Sequence, residues 1–172
     1  MSRLNRIENK IVELADLQAL TQRIRTKGNS VVFTNGVFDI LHKGHVTLLN
    51  AASELGDSLI LGLNSDESVR TLNKGPERPI NGEKDRAILL AALQCIDAVV
   101  IFNESTPLGL IRSIEPDVLV KGGDYNPDQT NPNAKDYVVG SDVQRANGKI
   151  TATIPLVDGY STTAVIKKSK NG

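Results

Sequence analysis

Apolar and polar positions along this chain follow two periods, one helical and one of short continuous runs. From residue 8 to residue 26, Ile11, Leu14, Leu17, Leu20 and Ile24 recur at helical spacing and predict a helix that Gly28 and Asn29 end. Val31, Val32 and Phe33 predict a short buried strand, followed by a turn carrying Asn35 and Gly36. Lys43 to Leu55 reads as a helix with Leu48, Ala52 and Leu55 on one stripe and Gly56 as its stop. The same unit then recurs. Ser58 to Leu63 predicts a strand and Asp66 to Leu72 a short helix; Lys74 to Ile80 is a loop marked by Gly75, Pro76 and Pro79. Asn81 is placed to cap a helix through Leu93, and Ala98 to Phe102 is a strand. Thr106-Pro107 opens a helix to Ile114, and Val118 to Lys121 is a strand ended by Gly122-Gly123. Asp124 to Lys135 is a loop, Ile150 to Val157 a strand weakened by Pro155, and Ser161 to Lys168 a last helix.

The strands are apolar on both faces, as Val-Leu-Val and Leu-Ile-Leu show, so the expected fold is α/β, a parallel sheet with helices on both faces. Ligands on such sheets bind at the carboxyl ends of the strands. Four polar loops leave strands at that edge: Thr34 to Lys43, Asn64 to Asp66, Lys121 to Asp124, and Asp158 to Thr163.

Composition narrows the class. A length of 172 residues with 40% hydrophobic content fits one domain with a core. We expect an N-terminal helical extension over residues 1–29 and the main domain over 30–172. Lys plus Arg equals Asp plus Glu, at 20 each, which argues against a nucleic-acid binder. No apolar run has the length to cross a membrane. Met1 to Asn9 lacks the apolar centre of a signal peptide, and Cys95 is the only cysteine, so a cytoplasmic protein is expected. Cys95 follows an apolar stretch and reads as a buried structural thiol.

The chemistry concentrates in the first loop, Phe33-Thr34-Asn35-Gly36-Val37-Phe38-Asp39-Ile40-Leu41-His42-Lys43-Gly44-His45. Both histidines of the protein are here, three apart at a helix start, where two rings can lean over one turn. Such a turn offers free N–H groups and the positive end of the helix dipole, which suit phosphate. Gly36 and Gly44 allow a ligand close to the backbone. Two imidazoles beside a phosphate suit phosphoryl-type transfer, which depends on positioning and charge stabilisation. A rival is a metal triad of Asp39, His42 and His45, spaced three and three.

The run Asn-Gly-Val-Phe-Asp-Ile-Leu-His-Lys-Gly-His resembles the His-x-Gly-His signature of the cytidylyltransferase-like nucleotidylyltransferases. From about Ser30 to Lys168 the chain is similar to the branch that adenylylates D-glycero-β-D-manno-heptose 1-phosphate. In many bacteria that activity is the C-terminal half of a kinase–adenylyltransferase fusion. Here we expect a stand-alone enzyme. The resemblance rests on Thr34 to His45, Asn64 to Val69, Lys74 to Ile80, Asp85-Arg86, Pro116 to Tyr125 and Gly159 to Thr163. It implies a Rossmann-like fold and AMP transfer from ATP to a sugar 1-phosphate. It also implies Mg²⁺ bound through the triphosphate rather than by a protein site. The product would feed surface-polysaccharide assembly. The expected partners are small molecules, with no nucleic acid or membrane, and a second copy in a homodimer.

Roles follow by position. The resemblance has Val37 and Phe38 lining the nucleotide site, within a nucleotide-binding set that also takes Thr34, Asn35, Gly36 and Gly44. His42 and His45 would hold the triphosphate and the reacting α-phosphate, with Lys74 neutralising charge from a lid loop. Asp124 would lie near the nucleoside, and Ser161, Thr162 and Thr163 would grip the β- and γ-phosphates. Asp39, Asn64, Arg78, Arg86 and Lys121 form the expected acceptor set.

Each residue has a plainer role beside that one. Ser161 to Thr163 could be an ordinary N-cap, Lys74 a solvated charge, Arg78 a loop salt bridge and Asp124 a turn former. Arg86 in a helix's first turn opposes the dipole and hints at a phosphate partner. Lys121 ends an apolar strand at the ligand edge, which favours a functional role. Lys43 adds a charge near the phosphates, and the loop from Tyr125 to Asp136 is long enough to reshape the acceptor pocket. Two competing functions stay open: a cytidylyltransferase acting on glycerol 3-phosphate or a similar small phosphate, and a non-catalytic nucleotide-binding module.

Overall fold

A computed structural model describes residues 2–72, 75, 77–157 and 159–170. Five strands form one parallel sheet: β1 (Val31–Gly36), β2 (Ser58–Asn64), β3 (Ala98–Phe102), β4 (Val118–Gly122) and β5 (Ile150–Ile154). Their order across the sheet is β3-β2-β1-β4-β5, with Thr34 beside both Leu61 and Val120. The chain winds outward from β1 through β2 to β3, then returns to β4 on the other side of β1. The crevice between the carboxyl ends of β1 and β4 is therefore the switch point where such sheets bind ligands.

The helices are α1 (Arg3–Glu8), α2 (Leu17–Arg25), α3 (Lys43–Ser53), α4 (Asp66–Thr71), α5 (Glu83–Ala91), α6 (Leu108–Ile114), α7 (Ser141–Ala146) and α8 (Thr162–Lys170). Strand alternation sorts the core into two layers. Val32, Leu59, Leu61, Leu63, Val99 and Val120 pack against α3 and α5 through Leu49, Ala52, Ala87 and Leu90. Val31, Phe33, Ile60, Val100 and Leu119 pack on the other face against Leu17, Leu110, Ile111 and Ile114 of α2 and α6. Truncating a fully buried leucine such as Leu61 to alanine costs about 2–5 kcal/mol.

Aspartates fasten the amino edge of the sheet. Asp117, just before β4, accepts the Val31 N–H at 2.8 Å; Asp97, just before β3, accepts that of Leu59 at 2.8 Å. Asp57, just before β2, accepts the Ser30 N–H at 2.9 Å, and these backbone and hydroxyl bonds from Ser30 lower its pKa. This satisfies strand-end N–H groups and leaves the carboxyl edge open for a ligand.

The N-terminal segment corrects the single helix expected over residues 8–26. The chain leaves α1, pairs Ile11 with Val99, turns through a 3₁₀ segment at Leu14–Asp16 and only then forms α2. β3 is a sheet edge, and its free backbone groups take this segment: Val12 N–H donates to Val99 at 2.8 Å, and Val99 N–H to Lys10 at 2.8 Å. Leu14, assigned to the apolar stripe, is 50% exposed. β5 ends at Ile154, where Pro155 removes a donor, rather than at Val157. α7 was not expected, because its sequence Ser-Asp-Val-Gln-Arg-Ala has no apolar stripe. Cys95 is half-buried against the core, and burial raises its pKa. Among the described residues no helix is long and apolar enough to cross a membrane.

Candidate active site

The site begins where β1 hands over to α3. His42 is the N-cap of α3, and its Nδ1 accepts the His45 N–H at 3.3 Å. That bond needs an unprotonated Nδ1, so neutral His42 carries its proton on Nε2. Partial burial lowers the His42 pKa and favours this neutral form. The two imidazoles stack, with centroids 3.7 Å apart and planes 19° from parallel. The Phe38 ring meets His45 edge-on at 5.0 Å.

The glycines are close-approach positions. A Cβ on Gly44 would lie 3.1 Å from both His42 Nδ1 and Tyr160 Cβ. One on Gly36 would lie 2.9 Å from the Phe38 ring, while Phe38 itself adopts the left-handed region at φ 46°. Such backbone strain persists only where surroundings impose it. Here Arg86 imposes it in part: fully buried, it donates from Nη1 to Val37 at 2.7 Å and to Asn64 at 2.9 Å. Its remaining bonds go to the Asn81 carbonyl at 2.9 Å and the Asp66 carboxylate at 2.7 Å. The expected phosphate contact by Arg86 is corrected accordingly. Its charge is tolerated in the first turn of α5 because Asp66 and three carbonyls balance it.

Asp39 is likewise committed to the protein. It is 1% exposed; Oδ1 accepts the N–H groups of Ile80 at 2.8 Å and Asn81 at 3.0 Å, and Oδ2 pairs with Arg78 Nε at 2.5 Å. Asp39 thus clasps the 77–81 segment over the first loop and is not placed as a free substrate contact. Asn81 does not cap α5; Gly82 is the N-cap, and the Asn81 side chain donates to the Asp39 carbonyl at 2.6 Å. With Asp39 clasped and His42 Nδ1 capping, a metal triad with His45 has no support. No cluster of three or more such ligands occurs among the described residues. Lys74 and Pro76 lie outside the described residues.

Three adjoining cavities open at this edge. One of about 320 Å³ is lined by Thr34 to Asp39, His45, Arg78, Gly122, Asp124, Tyr125, Leu156 and Thr162, with Leu48. A second, about 480 Å³, takes in His42, Gly44, His45, Arg78, Leu156, Val157, Tyr160 and Ser161 to Thr163, again with Leu48. A third, about 370 Å³, lies beyond the first and shares Asn35, Gly36, Val37, Gly122 and Tyr125 with it. It is completed by Asn64, Leu72, Ser105, Thr106, Pro107, Lys121 and Val139. His45 and Arg78 line both of the first two cavities, and His42 lines the second.

Other expected residues fall around these spaces. Thr34 Oγ1 donates to the Val120 carbonyl at 3.0 Å and so joins β1 to β4. Lys121 is 9% exposed, bonds the Asn35 side-chain oxygen and lies 5.8 Å from the Tyr125 ring centroid; burial lowers its pKa to about 8. Asn64 donates to Ser68 Oγ at 3.0 Å. Ser161 Oγ accepts the Ala164 N–H at 3.1 Å and caps α8, leaving the turn aimed at the cavity wall. Asp124 is exposed at the rim. Lys43 Nζ lies 5.7 Å from the Tyr160 ring centroid rather than over the first turn. Sequence reasoning missed Tyr160, although it sits inside the Tyr-Ser-Thr-Thr element. It also missed Ser105 and Thr106, whose loop leaves β3 at the same edge as the four loops that were counted.

A parallel α/β sheet with paired histidines at its switch point defines a nucleotide-handling class of protein. The chain belongs to the cytidylyltransferase-like family, whose model matches residues 33–168. Bifunctional protein HldE of Geotalea uraniireducens is 50% identical over 163 residues, covering 95% of this chain and 31% of that protein. The HldE of Helicobacter acinonychis is 48% identical over 167 residues, covering 97% of this chain and 33% of its own. The chain thus spans about a third of the length of these curated relatives. The crystal structure of a lipopolysaccharide core biosynthesis protein from Thermoplasma volcanium covers 78% of this chain and 100% of its own, at 27% identity and a TM-score of 0.58.

Proposed function

We propose that this chain is a cytoplasmic nucleotidylyltransferase that transfers AMP from ATP to a sugar 1-phosphate, D-glycero-β-D-manno-heptose 1-phosphate, and releases pyrophosphate. The observation that carries it is the stacked His42–His45 pair at the start of α3, with His45 lining two adjoining cavities and His42 the second. The half-identical relatives and the lipopolysaccharide-related neighbour support the choice of acceptor and a role in ADP-heptose supply.

In this reading the acceptor phosphate oxygen attacks the α-phosphorus. The new O–P bond forms as the bond to the β-phosphate oxygen breaks, and its electron pair leaves with pyrophosphate. The acceptor is already anionic, so no general base is required. His42 Nε2–H donates to phosphate oxygens as charge builds, while Nδ1 stays tied to the His45 N–H. Ser161, Thr162 and Thr163 at the start of α8 offer hydroxyls and N–H groups to the leaving phosphates. Lys74 neutralises charge on the phosphates. Mg²⁺ held by the triphosphate rather than by protein ligands would neutralise part of its charge. Two copies pair in solution, which sedimentation would test.

The deciding experiment supplies ATP or CTP with heptose 1-phosphate or glycerol 3-phosphate and measures pyrophosphate. ATP with the heptose phosphate should turn over fastest. Turnover confined to CTP and glycerol 3-phosphate would replace the proposal by the other branch. Nucleotide binding without pyrophosphate from any pair would make the chain a binding module.

A further inference from the structure

The third cavity differs in chemistry from the two beside the histidines. Its lining includes Asn35, Asn64, Ser105 and Thr106 as neutral hydrogen-bonding side chains, and a single ionisable cation, Lys121. No arginine or carboxylate lines it among the described residues. A second phosphate would call for guanidinium groups; a polyhydroxylated neutral body calls for amides and hydroxyls against an apolar floor. At about 370 Å³ the space lies within the roughly 300–1,000 Å³ usual for small-molecule sites.

Ser105 and Thr106, both exposed, share with Tyr125 a hydroxyl that no other described residue engages, unlike the two lining amides. Asn35 accepts from Lys121, and Asn64 donates to Ser68. The hydroxyls of Ser105 and Thr106 bond to no other described residue. Neither caps α6, whose N-cap is Pro107 with no side-chain bond. They also stand on the cavity's outer side, on the β3–α6 loop. The shared wall of Asn35 to Val37 separates them from the histidines.

We infer that this cavity receives the carbon chain of the acceptor sugar, and that Ser105 and Thr106 read the hydroxyls farthest from its phosphate, setting the chain length accepted. The inference rests on the proposed sugar 1-phosphate activity and adds its specificity determinants. Lys121, at the wall nearest the first cavity, orients the sugar at its phosphate end.

The test is a Ser105→Ala/Thr106→Val double variant assayed with a seven-carbon and a five-carbon sugar 1-phosphate. Losing two neutral hydrogen bonds should lower the ratio of kcat/KM for the longer over the shorter acceptor by about tenfold, through KM. An unchanged ratio, or equal losses on both acceptors, would overturn the inference. Amide chemical shifts of the unaltered protein give a readout independent of turnover. The seven-carbon sugar 1-phosphate should perturb Ser105, Thr106 and Tyr125, whereas inorganic phosphate should not. Shifts confined to the histidine turn would refute the assignment. Absent turnover with the expected shifts would instead sink the proposed reaction and leave the sugar site standing.

Discussion

His42 and His45 are joined twice: the rings stack at 3.7 Å, and the His45 N–H donates to His42 Nδ1 at 3.3 Å. One side chain therefore caps a helix and aims its other nitrogen at the ligand edge. Stability and chemistry can be separated by substitution. His42→Ala should cost about 0.5–2 kcal/mol through the lost cap and about 10²–10³ in turnover through the lost donor. His42→Asn, a good N-cap, should recover the melting temperature while turnover stays low. Thermal denaturation and initial rates on both variants decide it; full turnover in His42→Asn would remove the catalytic role.

The partial burial of His42 sets a pH dependence. Burial lowers the His42 pKa below its ordinary 6.5, so the unfolded chain takes up the proton first as pH falls. This contribution to stability is thus fully present above about pH 6.5 and is lost as pH falls through the lower, folded value. The melting temperature should decline on acidification in that window, and the decline should be shallower in His42→Asn. Equal slopes in both proteins would assign the acid sensitivity elsewhere.

Strands β1 to β4 and the loop around the histidines were legible in the sequence because buried parallel strands leave continuous apolar runs and both imidazoles share one turn. What was not legible depended on pairing across the chain. Leu14 fits a helical period, yet the edge of β3 recruits Lys10 to Val12 and breaks that helix. Arg86 and Asp39 look like ligand contacts in one dimension. Only the fold brings Val37, Asn64 and Asp66 to the first, and Arg78, Ile80 and Asn81 to the second.

Lys121 should move stability and acceptor binding in opposite directions. Burial lowers its pKa from 10.5 to about 8, so between those values the unfolded chain holds the proton and the folded chain does not. Stability then rises with pH across that window, because the desolvated charge is gone. The ammonium that would orient the acceptor is also gone, so kcat/KM for the sugar phosphate should fall above about pH 8. Lys121→Arg, which keeps its charge, should move that limb to higher pH. A profile flat to pH 10 in the unaltered protein would exclude Lys121 from acceptor binding.

Arg86 and Asp39 are expected to act on the fold of the site rather than on ligands directly. Arg86→Met should destabilise by about 3–5 kcal/mol, leaving Asp66 unpaired and the Val37 and Asn64 carbonyls unmet. Asp39→Asn should cost about 2 kcal/mol and speed hydrogen exchange at Ile80 and Asn81, the amides it holds. Denaturant titration and amide exchange are the measurements. A stable Arg86→Met protein with only a raised acceptor KM would restore the direct phosphate contact.

Gly44 sets two effects against each other. Replacing glycine by alanine within a helix ordinarily gains up to about 1 kcal/mol, and less at the second position of α3. The added Cβ, however, would sit 3.1 Å from His42 Nδ1 and 3.1 Å from Tyr160 Cβ, so one of them must give way. Tyr160 is exposed and can shift, but His42 is fixed by its cap bond and by the His45 ring. The folded state should therefore survive Gly44→Ala with little change in melting temperature. Displacing the imidazole toward the ligand side should lower turnover about 10²-fold, the usual effect of misplacing a positioning group by an ångström. Undiminished turnover would show that the stacked geometry is not needed for the reaction, whatever the histidines bind.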